Sequence, residues 1–288
     1  MNSLHILGIS NPSAQYLLIK LNKQFNFYCY SSTNKKKLAT KVFNYSDLKN
    51  NFKNDDSIIS FIPIEYLTLY LNKLNFKLST PKSIIVCSST SIDSKILNNS
   101  PDSNDYQKFL LGEHSLMELC LKSKKEINLV ILRLSLLWGG RNDKNINLIY
   151  QLLKKYRIFP LSNQANGIRF PMHHSYLAAT ILNIIKKPIN SGIYSLQGPE
   201  PIPYKKMVKL IQDRVPNKSF LILFPKNFLV ILIKFFILIR IKKCISVLMM
   251  IYRQNYDLDF SKKNHVPFEN LPNKDQEYNF EDLIKIIY

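Results

Sequence analysis

Short apolar runs alternate with amphipathic stretches along the first half of the chain. The runs at 4–9 and 83–87 have the length and the β-branched content of buried strands, whereas the stretch at 12–21 has apolar residues at helical spacing. Continued along the chain, the pattern predicts strands at 25–30, 57–62 and 128–137 and helices at 64–74, 109–123 and 146–156. Strands that alternate with helices form parallel sheets with right-handed crossovers. The sequence therefore predicts an α/β fold with a Rossmann-like, doubly wound parallel sheet.

The clearest ligand signal follows the strand at 128–137. This strand breaks at Gly139-Gly140, and Arg141 and Asn145 come just before the next amphipathic helix. In open α/β sheets, ligands bind beyond the carboxyl ends of the strands. We therefore predict that Arg141 and Asn145 contact a polar ligand.

Charge narrows the partners that we expect. The 288 residues carry a formal net charge of +20, but the lysines are spread among Asn and Ile and do not cluster with aromatic residues in a recognition motif. We attribute the charge to a compositional bias and expect no nucleic-acid partner, with nucleic-acid binding kept as the less favoured alternative. The positive field favours small anionic ligands.

Cysteine usage and the amino terminus indicate the compartment. The four cysteines lie far apart and have no metal-ligand spacing, so we expect buried thiols in a reducing compartment and no metal site. The first ten residues lack a basic region followed by a long apolar stretch, so they predict a strand and not a signal peptide. The expected location is the cytoplasm.

The apolar segment at 227–252 has two interpretations. Its most apolar part, 228–239, would cover roughly 18 Å as a helix against roughly 30 Å of bilayer hydrocarbon, so it is too short to span a membrane. The cations of the segment are distributed around the whole helix circumference: Lys234, Arg240, Lys242 and Lys243. We favour two core helices joined near Arg240, and peripheral membrane contact is the alternative.

Several segments resemble one family of enzymes. The segment IRFPMHHSYLA at 168–178 is similar to the family pattern Arg-x-x-x-His-x-x-Asp-x-Ala. The segment GIYSLQG at 192–198, followed by IPY at 202–204, is similar to the strand and helix start that close the family's sugar pocket. Together with SSTS at 88–91, these segments resemble the atypical extended short-chain dehydrogenases/reductases, a nucleoside-diphosphate-sugar epimerase-like group of the NAD-dependent epimerase/dehydratase family.

The resemblance implies a set of substrate-binding residues. Arg169 matches the arginine that contacts the nucleotide diphosphate in the family, a contact suited to a bidentate guanidinium, and Arg141 is expected to assist it. The predicted substrate site is completed by Asn145, His173 and Tyr204. Because Tyr176 replaces the family's aspartate, we expect His173 to be a structural hydrogen-bonding residue more than a base.

The turn after the first strand is the expected dinucleotide site. The family pattern Gly-x-x-Gly-x-x-Gly is matched here by Gly8, Asn11 and Ala14, and the alternative is an ordinary strand-to-helix turn. The resemblance implies cofactor contacts by residues that follow three strands: Gly8, Ser10, Asn11, Ser13, Ala14, Ser31, Ser32, Ile62 and Pro63. The sequence at 30–37 has no acid to bind a ribose 2′-hydroxyl, so NADP is favoured over NAD if a coenzyme binds.

The catalytic residues of the family are matched in part. Thr90 stands where the family has the hydroxyl that binds the reacting sugar oxygen, and Ser89 precedes it. The family's Tyr-x-x-x-Lys pair is absent, because Leu110 stands four residues after Tyr106. Tyr106 or a water is expected to replace the usual acid/base. Lys95 is expected to be solvent-exposed, and the alternative is that it reaches into the site from the loop after Thr90.

We therefore predict an NAD(P)-binding oxidoreductase or epimerase that transfers a hydride at C4 of a nucleotide-linked or lipid-linked sugar in surface polysaccharide synthesis. The alternative is a non-catalytic dinucleotide-binding or scaffold protein of the same fold, including a membrane-peripheral partner in that synthesis. Residues 1–160, with 170–198 returning to the sheet, are expected to form the NAD(P)-binding domain, and residues 199–288 a smaller, mostly helical substrate-side lobe. The helix at 109–123 has enough apolar surface for a homodimer interface, although core burial explains the same pattern.

Overall fold

The computed structural model describes residues 3–21, 25–32, 41–72, 80–96, 103–140, 143, 145–239, 248, 250–259, 264–272 and 278–287. In chain order, the strands are β1 (Leu4–Leu7), β2 (Phe27–Tyr30), β3 (Val42–Phe43), β4 (Ser57–Ser60), β5 (Ser83–Ser89), β6 (Asn128–Leu134), β7 (Leu137–Trp138), β8 (Ile158–Ser162), β9 (Ile168–Arg169), β10 (Met172–His173), β11 (Gly192–Leu196), β12 (Ile202–Pro203), β13 (Phe220–Phe224) and β14 (Asn264–His265). The α-helices are α1 (Pro12–Leu21), α2 (Leu48–Asn51), α3 (Ile64–Leu71), α4 (Ser103–Leu121), α5 (Ile146–Tyr156), α6 (His174–Lys186), α7 (Tyr204–Gln212), α8 (Lys226–Leu238) and α9 (Phe280–Ile287). The chain divides into two compact units, the first formed by residues 1–134, 174–196 and 261–273, and the second by residues 135–173, 197–260 and 274–288.

The first unit contains a parallel sheet. Its strands are hydrogen-bonded in the order β3-β2-β1-β4-β5-β6-β11-β14, and each neighbouring pair is parallel. The strand order reverses at β1, which lies between β2 and β4. In open α/β sheets this reversal is the topological switch point, where ligands bind at the carboxyl ends of the strands. The predicted doubly wound α/β fold is confirmed.

Successive side chains of each strand point to opposite faces of this sheet. On one face, Ile58 and Ile131 belong to a core shared with α3 and α4. On the other face, Ile59 and Val130 line a cavity together with Ile184 of α6, and α6 packs against α1. Helices therefore cover both faces, which is the arrangement that the continuous apolar runs of parallel strands require.

Two predicted helices keep their limits in the structure, and a third is longer. The helices α1 and α5 begin and end where the pattern placed them, at 12–21 and 146–156. The helix α4 is longer than predicted, exposes Leu111 and Leu121, and buries Leu116. Since this pattern fits both a core helix and an interface, the homodimer stays a prediction.

The predicted strand at 128–137 is divided in two. β6 ends at Leu134, and after Ser135 and Leu136 the residues Leu137 and Trp138 form β7 beside β10. The break is explained by Ser135, whose hydroxyl donates to the carbonyl of Phe170 at 2.6 Å and accepts from the N–H of Gly198 at 3.2 Å. The prediction of a single strand was wrong because this one polar residue has tertiary partners that lie far away in the sequence.

The second unit packs α5, α7 and α9 around a core that includes Trp138, Phe159, Val208 and Phe280. Its strands form three pairs, of which β7–β10 and β8–β13 are parallel and β9–β12 is antiparallel. The helices after residue 201 were expected, but β13 was not. Its five apolar and aromatic residues pair with β8, which turns this short run into a strand.

The helix α8 is buried on one side. Leu229 and Ile233 are buried, whereas Ile231 and Phe235 are 63% and 54% exposed. The favoured prediction of a core helix is therefore wrong for the outer side of α8, and the predicted junction near Arg240 lies outside the described residues. Within the described part of the chain, no helix combines the length and the apolar character needed to cross a membrane.

Candidate active site

The carboxyl end of β1 forms the first part of the candidate site. Gly8 follows this strand with a φ of +85°, and a Cβ at this position would lie 3.0 Å from Cγ2 of Ile62 and 3.1 Å from its backbone nitrogen. Glycine is therefore needed both for the left-handed backbone and for the close approach to the residues that follow β4. The turn brings two of the predicted cofactor residues, Gly8 and Ile62, together at the switch point.

Asn11 caps the helix that follows this turn. Its Oδ1 accepts a hydrogen bond from the backbone N–H of Ser13 at 2.9 Å, and its own N–H donates to the carbonyl of Gly8 at 2.8 Å. The free N–H groups at a helix N-terminus are the groups that hold phosphate in dinucleotide sites. Asn11 stands at the family's second glycine position and occupies one of these donors with its own side chain.

The predicted residues inside α1 face the interior. Ser13 and Ala14 are fully buried, and Oγ of Ser13 lies 2.7 Å from Nδ1 of His174, the first residue of α6. Ser10 is exposed and Asn11 is partly buried. A ligand at this turn can therefore contact Ser10, Asn11 and the backbone of the turn. Ser13 instead links α1 to α6.

The ends of β2 and β4 carry the other predicted cofactor residues. Ser31 is buried and its N–H donates to the carbonyl of Phe43 at 3.0 Å, whereas Ser32 is exposed. After β4, Ile62 is half-buried and Pro63 is exposed at the N-cap of α3. The lysines at 35–37 lie outside the described residues.

The hydroxyl groups after β5 have backbone partners. Thr90 is 1% exposed, and its Oγ1 and its N–H both donate to the carbonyl of Leu134, at 3.1 and 3.0 Å. Ser89 is half-buried, and its Oγ accepts from the N–H of Ser91 at 3.2 Å. Because the single hydrogen of the Thr90 hydroxyl is already used, this group can meet a sugar hydroxyl only as an acceptor.

Tyr106 lies in the first part of α4. Its ring stacks on Phe109 with the ring centroids 6.2 Å apart, and the residue is half-buried. The helical geometry of α4 places Leu110, and no lysine, one turn after Tyr106. The side chain of Lys95 lies outside the described residues.

A buried ion network beside the end of β5 was missed by the sequence interpretation. Arg133 of β6 donates twice to Glu113 of α4, from Nε to Oε1 at 3.0 Å and from Nη2 to Oε2 at 2.6 Å, and its Nη1 donates to Oδ1 of Asp93 at 2.7 Å. Ser88 of β5 donates to Oε1 of Glu113 at 2.6 Å. Glu113 is fully buried and Arg133 is 3% exposed. The network joins β5, β6 and α4 directly next to the two hydroxyl residues proposed for catalysis.

In the second unit, the guanidinium of Arg169 is hydrogen-bonded to backbone carbonyls of the protein. Its guanidinium donates to the carbonyls of Ile168, Tyr256 and Arg253 at 2.9, 2.6 and 3.1 Å, and the residue is 4% exposed. The guanidinium also lies 5.2 Å from the centre of the Tyr204 ring, whose burial raises the pKa of the phenol to about 12. Arg169 thus holds the segment 253–256 against β9, and its role in diphosphate binding stays a prediction.

His173 and Asn145 have contrasting surroundings. His173 is buried against the indole of Trp138 at a centroid distance of 5.2 Å, and this burial lowers the pKa of His173 to about 4. Asn145 is exposed at the start of α5, where its N–H donates to Oδ1 of Asp143 at 2.7 Å. Asn145 is therefore accessible to a ligand, whereas the imidazole of His173 is a weak base. Arg141 lies outside the described residues.

Two buried histidines predict a loss of stability in mild acid. Nε2 of His5 donates to Oδ2 of Asp56 at 3.0 Å, and burial lowers the pKa of His5 although Asp56 opposes this shift. The pKa of His173 is lowered further, to about 4. Below about pH 6.5, the unfolded chain therefore binds protons at these histidines that the folded protein does not bind. We expect the neutral histidines to make their full contribution to the free energy of unfolding above pH 6.5. The free energy of unfolding should then fall toward pH 4, by about 3 kcal/mol from His173 alone.

Urea unfolding at a series of pH values measures this loss. The variant His173→Gln should show a shallower decline between neutral pH and pH 4 than the unmodified protein. His114 is exposed on α4, so His114→Gln is the matched control and should keep the original decline. An identical pH dependence in the protein and in His173→Gln would contradict the prediction.

A parallel sheet whose order reverses at β1, with a glycine turn leading into α1 at that point, defines the Rossmann-like class of α/β proteins. Solved structures of this class are similar to the chain. UDP-N-acetylglucosamine 4-epimerase from Bacillus cereus is 18% identical with a TM-score of 0.62, over 78% of this chain and 86% of that one. UDP-glucuronic acid 4-epimerase from Bacillus cereus, in complex with NAD, is 12% identical with a TM-score of 0.60, over 89% and 95% of the two chains. MoeE5, in complex with UDP-glucose and NAD, is 11% identical with a TM-score of 0.60, over 78% and 85%.

These similarities confirm the fold that the family resemblance implied. No protein-family model matches the sequence, and no curated protein matches it by sequence. At such low identity, the structural likeness establishes the fold, and the activity is a separate question.

Proposed function

We propose that the protein is an NAD-binding oxidoreductase or epimerase that acts on a nucleotide-linked sugar. The observation that carries the proposal is the turn at the switch point, where Gly8 adopts a positive φ and leads into the N-terminus of α1. The similar structures support it, because several of them contain NAD and MoeE5 contains UDP-glucose.

The turn fits a pyrophosphate group through its backbone. Gly8 presents no side chain, Ser10 is exposed, and the helix dipole places partial positive charge at the start of α1. Asn11 would share the helix N-terminus with the phosphate oxygens, which is where this chain departs from the family pattern. The other residues of the proposed cofactor site lie after β2 and β4: Ser31, Ser32, Ile62 and Pro63.

NAD is the proposed cofactor because several of the similar structures contain it. NADP is the alternative that the sequence favours, since neither Ser31 nor Ser32 offers the carboxylate that binds a ribose 2′-hydroxyl. A cofactor titration with both nucleotides separates these two proposals.

When bound, the nicotinamide would accept and return a hydride at C4 of the sugar. Thr90 would accept a hydrogen bond from the sugar hydroxyl, since its own hydrogen is donated to Leu134. Ser89 would offer a second hydroxyl at the same strand end. Tyr106 or a water would exchange the proton with the sugar hydroxyl. The proposed substrate-binding residues are those of the sequence prediction: Arg141, Asn145, Arg169, His173 and Tyr204.

The proposal is tested by titrating the purified chain with NADH and NADPH and following nicotinamide fluorescence. Saturable binding is expected, and hydride exchange with a panel of sugar nucleotides should then be detectable. An absence of binding up to millimolar concentrations would overturn the proposed function.

The variant Asn11→Gly is expected to bind the dinucleotide about fivefold more tightly, because it releases the N–H of Ser13 for a phosphate oxygen, a gain on the order of 1 kcal/mol. The matched control is Asn279→Gly at the start of α9, where Oδ1 of Asn279 accepts from the N–H of Glu281 at 2.8 Å in the same geometry. Fluorescence titration should show tighter binding in the first variant and unchanged binding in the second. Weaker binding by Asn11→Gly would contradict the placement of the pyrophosphate at this turn.

A second function, a dinucleotide-binding or scaffold protein without catalysis, is favoured by one observation. Thr90 is 1% exposed, and the helix that would carry the tyrosine and lysine pair has Leu110 in place of the lysine. Binding of NADH without hydride exchange on any sugar nucleotide would support this alternative.

A further inference from the structure

The helix α8 carries apolar side chains on its outer side as well as its inner side. Its inner residues Leu229 and Ile233 pack in a core with Leu248 and Ile251. Its outer residues follow helical spacing and are strongly exposed: Phe228 48%, Ile231 63%, Phe235 54% and Leu238 79%. Four large apolar side chains in one exposed stripe are more than a solvated helix surface normally presents.

The strand β13 adds to this surface. Phe220 is the register partner of Ile158 in β8, and both are exposed, at 56% and 45%. Ile222 is also exposed, and it lies on the same face of β13 as Phe220 and Phe224 because alternate residues of a strand share a face. Phe224 packs in the inner core of α8. We call the combined surface the apolar patch, and it consists of Ile158, Phe220, Ile222, Phe228, Ile231, Phe235, Leu238 and Ile239. Of the seventeen large hydrophobic side chains that are exposed among the described residues, eight belong to the patch, so nearly half of this exposure is concentrated here.

The sequence around the apolar patch is uniformly basic. Residues 214–256 contain eight Lys or Arg and no Asp or Glu. Within the described residues of this stretch, Lys218 lies 5.6 Å above the ring of Phe220 and Lys226 lies 5.1 Å above the ring of Tyr256. Lys234 is exposed between the apolar residues of α8. Long lysine side chains can place their apolar stems along such a surface and keep the ammonium group in a polar layer.

Exposed apolar side chains together with a stretch of sequence that has cations and no acids indicate which kind of partner the patch binds. A second copy of the chain would bring the same cations close to each other, which costs several kcal/mol in like-charge contacts. The surface of a bilayer that contains anionic lipid offers apolar chains below a layer of negative charge, and so complements both features of the patch.

We propose that the apolar patch docks the protein onto the surface of a bilayer that contains anionic lipid. The 13 residues of α8 extend over about 20 Å and would lie in the interface, with Ile231 and Phe235 directed toward the acyl chains. Lys226 and Lys234 would contact the lipid phosphates. This proposal does not depend on the proposed catalytic function.

The experiment compares binding of the full chain to vesicles of phosphatidylcholine with and without phosphatidylglycerol, by co-sedimentation. We expect strong binding to the anionic vesicles and weakening in high salt, which screens the lysines. The variant Ile231→Glu should reduce binding by at least roughly tenfold. The matched control is Ile19→Glu on α1, where Ile19 is 71% exposed outside the patch, and it should bind like the unmodified protein.

Two results would overturn the proposal. The first is equal, weak sedimentation with neutral and anionic vesicles. The second is a dimer in light scattering that Ile231→Glu converts to a monomer while vesicle binding is absent, which would assign the patch to self-association. Circular dichroism of both variants verifies that they remain folded, and a second patch variant, Phe235→Ser, tests the same surface without adding a charge.

Discussion

Replacement of Arg133 by methionine is expected to lower the free energy of unfolding by about 3 to 5 kcal/mol. The guanidinium is almost fully buried and makes three hydrogen bonds to two carboxylates, at 2.6 to 3.0 Å. Methionine fills a similar volume but leaves the carboxylate of Glu113 buried with the Ser88 hydroxyl as its remaining partner in this network. A buried charge that loses its counter-ion keeps its desolvation cost and loses the attraction that offset it. Urea unfolding at pH 7 measures the difference.

Two controls separate this effect from a general loss of charge. Lys125 pairs with Asp55 at 3.5 Å and both side chains are more than half exposed, so Lys125→Met should change stability by less than about 1 kcal/mol. Adding Glu113→Leu to Arg133→Met removes both buried charges and should recover a large part of the loss. If the double variant is as unstable as the sum of the single ones, the pair does not act as described.

Substitution of Gly139 by alanine is expected to destabilise the second unit by about 3 kcal/mol. Gly139 has a φ of +95°, and a Cβ there would lie 2.2 Å from the imidazole of His173. The strained backbone and the overlap with a ring that is itself buried against Trp138 add to each other. The loss should appear as a lower urea midpoint with an unchanged slope.

The matched control for this substitution is Gly192→Ala. A Cβ at Gly192 would meet the ring of Tyr194 at 3.2 Å, and the backbone there is not left-handed, so the cost should be small. Removing the ring in the double variant with His173→Ala should relieve the overlap and leave the backbone strain. Equal stability of the two alanine variants would show that the space beside Gly139 is larger than the structure indicates.

The fold was predictable because its local signals agree with one another. Pro12 suits the first position of α1, and Lys154 and Lys155 suit the last turn of α5, so both helices have the limits that the sequence indicated. The apolar runs at β4 and β5 are short and rich in isoleucine and valine, as strands covered on both faces require. Periodicity carried no comparable signal for β13, whose apolar residues follow a proline- and serine-containing turn and could equally have continued a helix.

The candidate site could be predicted only where its conformation depends on residues that are neighbours in the sequence. The turn from Gly8 to Asn11 is local, and its conformation follows from glycine and asparagine. Ser13 was assigned to a ligand but pairs with His174, a partner 161 positions away that no local pattern identifies. Arg133 offered an unused signal, since a charged residue in a strand of buried aliphatic neighbours requires a buried counter-ion. Its partner Glu113 could not be chosen among the acids of the chain without the tertiary structure.

The first unit is built from three separate stretches, 1–134, 174–196 and 261–273, and this order has a consequence for biosynthesis. β11 joins the sheet beside β6, and β14 joins beside β11, so each addition waits for residues made much later. Until a ribosome has released residue 265, the backbone groups on the outer edge of the growing sheet remain open to pairing with other nascent chains. Chaperone holding during translation would therefore matter more for this protein than for one whose sheet is completed in sequence order.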